Sequence, residues 1–256
     1  MTKALQVSNV EKVYGGKFGS ATHALAGVSF VVDRGEYVAI MGPSGSGKTT
    51  LLNCIATIDR PTSGSVIIDG TDITHMRSRQ LAQFRREQLG FIFQDSNLLD
   101  TLSCRENIAL PLTIAHVRAS EIDDRVVRIA TALGVNDVLE KFPYQVSGGQ
   151  KQRVAACRAM VTNPTLVLAD EPTGALDSKN SKLLLERFDA LNESFGTTIL
   201  MVTHDSFAAS YCQRVLFIRD GRIFTELRRG NLTRRVFFDQ IMGVVATIGG
   251  GQDDVL

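Results

Sequence analysis

Neither sign of charge prevails in this chain: 28 lysines and arginines face 27 aspartates and glutamates. The strong basic excess of a general nucleic-acid binder is therefore missing, and no nucleic-acid partner is expected. Cys54, Cys104, Cys157 and Cys212 lie far apart and form no C-x-x-C pair. Each sits in an otherwise apolar or helical stretch, as reduced, buried thiols of a cytosolic protein do. No apolar run approaches the roughly 18–20 residues needed to cross a bilayer. The opening residues, Met1-Thr2-Lys3-Ala4-Leu5-Gln6, hold no apolar core of signal-peptide length. The chain is expected to be soluble by its own sequence, with any membrane role borrowed from a partner. Disorder is excluded too, because 44% of residues are hydrophobic and their pattern is mixed. No internal repeat is visible.

At 256 residues there is enough chain for one large domain, or a core with a subdomain. Residues 5–14 and 24–34 read as short strands, and 36–41 is a nearly continuous apolar run that stops at Gly42. Such a run suits a strand buried on both faces of a parallel sheet. Residues 48–58 predict a helix with Leu51, Ile55 and Ile58 on one face, ended by Pro61. Residues 64–73 read as a strand pair turning at Asp69-Gly70, 78–89 as an amphipathic helix and 91–93 as a short strand. From about 102 to 162 the pattern is helical throughout. Strands at 165–169, 197–202 and 214–219 then alternate with helices at 179–194 and 205–211, and Asp220-Gly221 forms a hairpin turn. This order predicts a parallel sheet with an inserted helical lobe. Beyond 228 a short amphipathic helix at 236–242 is expected, packed on the core, followed by a flexible Gly-rich end.

Two segments carry the chemistry. The first, Gly42-Pro43-Ser44-Gly45-Ser46-Gly47-Lys48-Thr49, fits G-x-x-x-x-G-K-[ST] and lies between the buried strand and a helix. Its glycines let successive N–H groups turn onto phosphate oxygens, and the helix N-terminus adds positive potential there. Lys48 is expected to reach the β and γ phosphates, the Thr49 hydroxyl to ligate Mg2+, and Thr50 to complete the nucleotide contacts. A serine-hydrolase elbow is excluded, since Ser46 stands where G-x-S-x-G needs its last glycine. The second segment, Leu166-Val167-Leu168-Ala169-Asp170-Glu171, is an apolar run ending in two carboxylates. Asp170 suits a magnesium ligand, and Glu171 suits a general base for the attacking water. Alone, such acids would merely cap the turn at Pro172-Thr173-Gly174; the upstream loop favours the chemical role. His204 and Gln94 are each ordinary structural residues taken singly. Both follow predicted strands, however, and ligands bind at the carboxyl ends of strands in open α/β sheets. His204 is then placed to contact the γ-phosphate, and Gln94 to complete the metal shell.

Ser147-Gly148-Gly149-Gln150 opens another helix and makes a second anion site. One chain has only one phosphate loop, so this site needs a phosphate from elsewhere. A second copy, docked head to tail across a two-fold axis, supplies it most simply. With these motifs in this order, the chain resembles ATP-binding-cassette (ABC) ATPases over about residues 5–227. The resemblance rests on the phosphate loop, a glutamine loop at Gln94, the signature Val146-Ser147-Gly148-Gly149-Gln150, the pair Asp170-Glu171, a D-loop at Ala175-Leu176-Asp177 and the switch His204. Val146 stands where the family most often has leucine. Tyr14 resembles the family's adenine-stacking aromatic, with an insertion at 15–22 between it and the next strand.

That resemblance implies an α/β fold: a P-loop NTPase (RecA-like) parallel-sheet core with an antiparallel β subdomain and an inserted helical subdomain. The ATPase domain would span 1–227, its helical subdomain about 95–162, and a C-terminal extension 228–256. ATP and Mg2+ are implied, with Lys48, Glu171 and His204 catalytic. A homodimer is implied in which Ser147, Gly148, Gly149, Gln150 and Asp177 act across the interface. A membrane permease subunit would hold the protein at the cytoplasmic face of the membrane. Gly90-Phe91-Ile92-Phe93-Gln94 and 170–177 resemble the branch serving lipoprotein-release, macrolide and antimicrobial-peptide transporters. The segments 97–102, 208–212 and 237–242 are most similar to the bacitracin-type (Bce-type) subgroup of peptide resistance and sensing, which implies a sensor kinase reached through the permease. A cassette protein acting on ribosomes or DNA would carry two cassettes or a long coiled coil. A small-molecule kinase would leave the Ser147 segment without purpose.

Overall fold

The computed structural model describes residues 2–15 and 20–249. Its central strand is β3 (Tyr37–Met41), buried at every position. Strands β1 (Lys3–Tyr14) and β2 (Thr22–Asp33) precede it, and the helix α1 (Lys48–Ile55) follows. Next come β4 (Ser63–Ile68), β5 (Thr71–Asp72), α2 (Ser78–Gln88) and β6 (Leu89–Ile92). Three helices then follow without a strand: α3 (Cys104–Ile114), α4 (Ala119–Leu133) and α5 (Gly148–Met160). The chain ends with β7 (Leu166–Asp170), α6 (Ser178–Phe195), β8 (Ile199–Val202), α7 (Ser206–Ala209), β9 (Arg214–Arg219), β10 (Arg222–Arg228) and α8 (Arg234–Gly249).

The strands form two sheets, one of order β2-β1-β4-β5 and one of order β10-β9-β3-β8-β7-β6. Every pair in the larger sheet is parallel except the β9–β10 hairpin, and the smaller sheet is antiparallel. This is the α/β architecture expected from the sequence. Side chains alternate along a strand, so the larger sheet divides the interior in two. Val38, Ile40, Leu168 and Leu200 pack on one face with Leu51 and Ile55 of α1. Ala39, Met41, Ala169 and Met201 pack on the other with Val154 and Cys157 of α5 and Leu184 of α6. All four cysteines are free and buried.

The last helix departs from expectation. It runs 16 residues rather than ending near 242. Phe237 and Ile241 are fully buried, Val244 and Val245 pack on the same cluster, and Ile248 continues it. That stripe at helical spacing carries the helix through Gly243 despite glycine's weak propensity. The flexible end expected beyond 249, and residues 16–19 of the insertion after Tyr14, lie outside the described residues.

Candidate nucleotide site

The phosphate loop leaves β3 and enters α1. At Gly47 the backbone takes φ +101°, and a Cβ there would lie 2.4 Å from the Ala24 carbonyl oxygen, so only glycine fits. No side chain caps α1, which leaves its first-turn amides open to an anion. The Ser46 hydroxyl is buried without a hydrogen-bond partner. A turn of the β9–β10 hairpin braces the loop, since the Gly221 amide donates to the Ser46 carbonyl at 3.1 Å. Pro43, Ser44, Gly45 and Thr49 are exposed, and Gly42, Lys48 and Thr50 are half-buried. Lys48 folds back on its own loop, its Nζ donating to the carbonyls of Gly42 and Pro43, both at 2.8 Å. Burial lowers its pKa, while the charges of Glu171 and Asp170 oppose that.

Asp170 ends β7. Burial raises its pKa, the Glu171 charge adds to this, and Lys48 counteracts it. Glu171 follows with φ +47°, a left-handed conformation uncommon outside glycine. Its carboxylate is held by the segment after β8. Oε1 accepts from the His204 amide at 3.1 Å and meets His204 Nδ1 at 2.8 Å, and Oε2 accepts from Thr203 Oγ1 at 3.2 Å. Glu171 is 18% exposed and His204 75%, so the histidine faces outward from the acid it touches. Gln94 lies two residues past the end of β6 rather than at it. Its amide packs over Gly174, where an added Cβ would stand 3.1 Å from Cδ. That places it beside the turn that follows the two acids.

Tyr14 closes β1 beside Thr50. Its hydroxyl donates to Asp59 Oδ2 at 2.8 Å, and the Lys12 ammonium stands 4.8 Å from its ring centroid. The ring is 41% exposed. Ser147 caps α5: its Oγ accepts from the Gln150 amide at 3.3 Å, and Gln150 Oε1 accepts from the Ser147 amide at 3.0 Å. Gly149 abuts Asn180, whose side chain a Cβ would meet at 2.1 Å. Asn180 in turn donates its amide and Nδ2 to Asp177, both at 2.8 Å. Signature and D-loop thus form one packed unit.

The structure brings Lys48, Asp170, Glu171, His204 and Gln94 into one region. Ser147 starts α5, which packs on the opposite face of the sheet from α1, and Gly148 and Lys151 behind it line a pocket with Gln94. Sequence reasoning missed Thr203 and Asp59, whose partners Glu171 and Tyr14 are distant in sequence, and Asn180, which bonds Asp177 three residues before it and packs on the distant Gly149. Thr203, adjoining His204, was the most accessible of them.

The residues present suit a triphosphate with a divalent cation. The uncapped α1, the orphaned Ser46 hydroxyl and the inward Lys48 suit phosphate oxygens. Asp170 is a half-buried carboxylate with raised pKa, which a cation would relieve. Among the described residues no three His, Cys, Asp or Glu cluster. That fits a cation held by one carboxylate, a hydroxyl, an amide and phosphate oxygens.

Fold and site together define a P-loop nucleoside triphosphatase. The sequence profile of the ABC transporter family matches residues 25–174, and the chain belongs to that family as an ATP-binding subunit. It falls in the Bce-type branch and is an ATP hydrolase coupled to transport. The bacitracin export ATP-binding protein BceA of Halalkalibacterium halodurans is 48% identical over 250 residues, covering 98% of each chain. The ABC transporter ATP-binding protein YxdL of Bacillus subtilis is 49% identical over 255 residues, covering 100% of this chain and 98% of that one. A dimeric structure of the cassette MJ0796 of Methanocaldococcus jannaschii, in a post-hydrolysis state with ADP and Pi, superposes with a TM-score of 0.79. It is 37% identical and covers 88% of this chain and 98% of that chain.

Proposed function

We propose that two copies of this chain enclose two ATP molecules, each between one copy's phosphate loop and the other's Ser147-Gly148-Gly149-Gln150 segment. The observation that carries this is the placement of α1 and α5 on opposite faces of one sheet. A lone copy offers each nucleotide half a site. The uncapped start of α1 binds the phosphates, and Lys48 exchanges two backbone carbonyls for β and γ oxygens. Thr49, Asp170 and Gln94 would hold a magnesium ion, which would supply neutralisation of the charge on those oxygens. Glu171, fixed by Thr203 and His204, orients the attacking water and takes its proton. His204 also contacts the γ-phosphate, Tyr14 stacks on the adenine, and Asp177 reaches the partner's site.

The dimer drives a membrane permease from the cytoplasmic side, with the loop at 94–102 as the contact. The Bce-type membership supports a role in resistance to, or sensing of, antimicrobial peptides, with a sensor kinase reached through the permease. Copurification with a multi-span membrane protein tests the partner, and bacitracin sensitivity of a strain lacking the chain tests the role. For the composite site, Glu171→Gln is expected to trap an ATP-bound dimer in gel filtration. A strictly monomeric variant at saturating ATP would refute it.

A further inference from the structure

Tyr14 is an exposed ring, yet it is fastened to the helix that opens at the phosphate loop. The fastening runs through Asp59, which follows the far end of α1. Asp59 Oδ2 accepts from the Tyr14 hydroxyl at 2.8 Å, and Oδ1 accepts from Lys12 Nζ at 2.6 Å and from the Arg60 amide at 2.7 Å. Lys12 Nζ donates again to the Arg60 carbonyl at 2.8 Å. Burial alone would raise the Asp59 pKa, but the bonds from Lys12, Tyr14 and Arg60 bring it below the usual carboxylate range. The backbone is tied at the same place. The Asp59 amide donates to the Asn53 carbonyl of α1 at 3.1 Å. On the other side the Thr62 amide donates to the Glu11 carbonyl at 2.8 Å, and the Val13 amide to Thr62 Oγ1 at 3.0 Å.

An exposed phenol hydroxyl would be satisfied by water, so this bond adds little to stability. What it does is fix the plane of the ring. Lys12 and Tyr14 stand two residues apart on β1 and so share a face. The Lys12 ammonium lies over one side of the ring, 4.8 Å from its centroid, which leaves the opposite side for a flat ligand. We propose that Asp59 and Lys12 are positioning residues for the base: Asp59 ties the Tyr14 ring to α1, and Lys12 closes one of its two sides. Base and phosphates are then received on one rigid frame, α1, and the ring needs no ordering when a nucleotide arrives. The proposal rests on the reading that Tyr14 stacks on adenine.

The test is calorimetric titration of the full chain with ADP, which carries no γ-phosphate for a second copy to enclose, and with inorganic pyrophosphate. Tyr14→Ala is expected to weaken ADP about tenfold through the lost stacking. Asp59→Ala and Lys12→Met are each expected to weaken ADP about fivefold where Tyr14 is present, and to add nothing in the Tyr14→Ala background. Pyrophosphate affinity is expected to stay within about twofold throughout, since the phosphates make their own contacts with the loop. Unchanged ADP affinity in either variant overturns the proposal. So does an equal loss with and without Tyr14, or a parallel loss for pyrophosphate, because both are what general damage to α1 would give. Should Asp59→Ala not fold, Tyr14→Phe keeps the ring and removes only the hydroxyl bond. An ADP affinity about threefold weaker then supports the proposal, and an undiminished one overturns it. No effect of Tyr14→Ala on ADP sinks the stacking reading itself, and this inference with it.

Discussion

Glu171 holds a left-handed backbone that costs an ordinary side chain on the order of 1–3 kcal/mol. In return its carboxylate lies against Thr203 and His204. Thr203→Val is accordingly expected to lower kcat about tenfold with little change in the KM for ATP, and Thr203→Ser to restore it. Steady-state hydrolysis by the permease complex measures both. Lys48→Ala removes the cation from the phosphate loop and should abolish binding of a fluorescent ATP analogue. Asp170 gives a pH effect of determined sign. Its folded-state pKa is raised, so the folded chain binds this proton more tightly than the unfolded one. Its contribution to stability therefore falls as pH rises from the ordinary carboxylate range through the raised value. Asp170→Asn should leave the nucleotide-free Tm at pH 7 equal or higher, while hydrolysis is lost. The phosphate loop and the acidic pair were legible because each is a local string with its own chemistry. Thr203 and Asp59 were not, because their partners stand 32 and 45 residues away.

At the scale of elements, strands were legible wherever burial on both faces left an unbroken apolar run, as in β3 and β7. The edge strand β10 alternates between exposed and half-buried positions and was visible mainly through its turn. The length of α8 was not legible, because Gly243 and Gly249 resemble a chain losing order and the buried stripe that overrides them is set by tertiary packing. Phe237→Ala is expected to cost about 3–5 kcal/mol in denaturant unfolding. Arg214 is a second fastening. It is 5% exposed and bonds Glu36, Glu226 and the Val31 carbonyl, joining β9 to both sheets. Arg214→Ala should cost about 3–5 kcal/mol, because it leaves Glu36 charged and enclosed without its partner.

For the whole molecule, the sequence order of motifs pointed to two half-sites, and the proposed two-copy site is in keeping with α1 and α5 packing on opposite faces of a six-stranded sheet. Isolated subunits should therefore hydrolyse ATP with a rate that rises as the square of protein concentration at low concentration. A strictly linear dependence would show that one copy suffices.

The placement of α1 and α5 on opposite faces of one sheet, with the two-copy site proposed from it, has a genetic corollary. A cell making equal amounts of intact and Lys48→Ala chains would assemble only about a quarter of its pairs from two sound copies. A mixed pair would keep one sound site of two, so where turnover needs both, one damaged allele would silence most of the pool and behave as dominant.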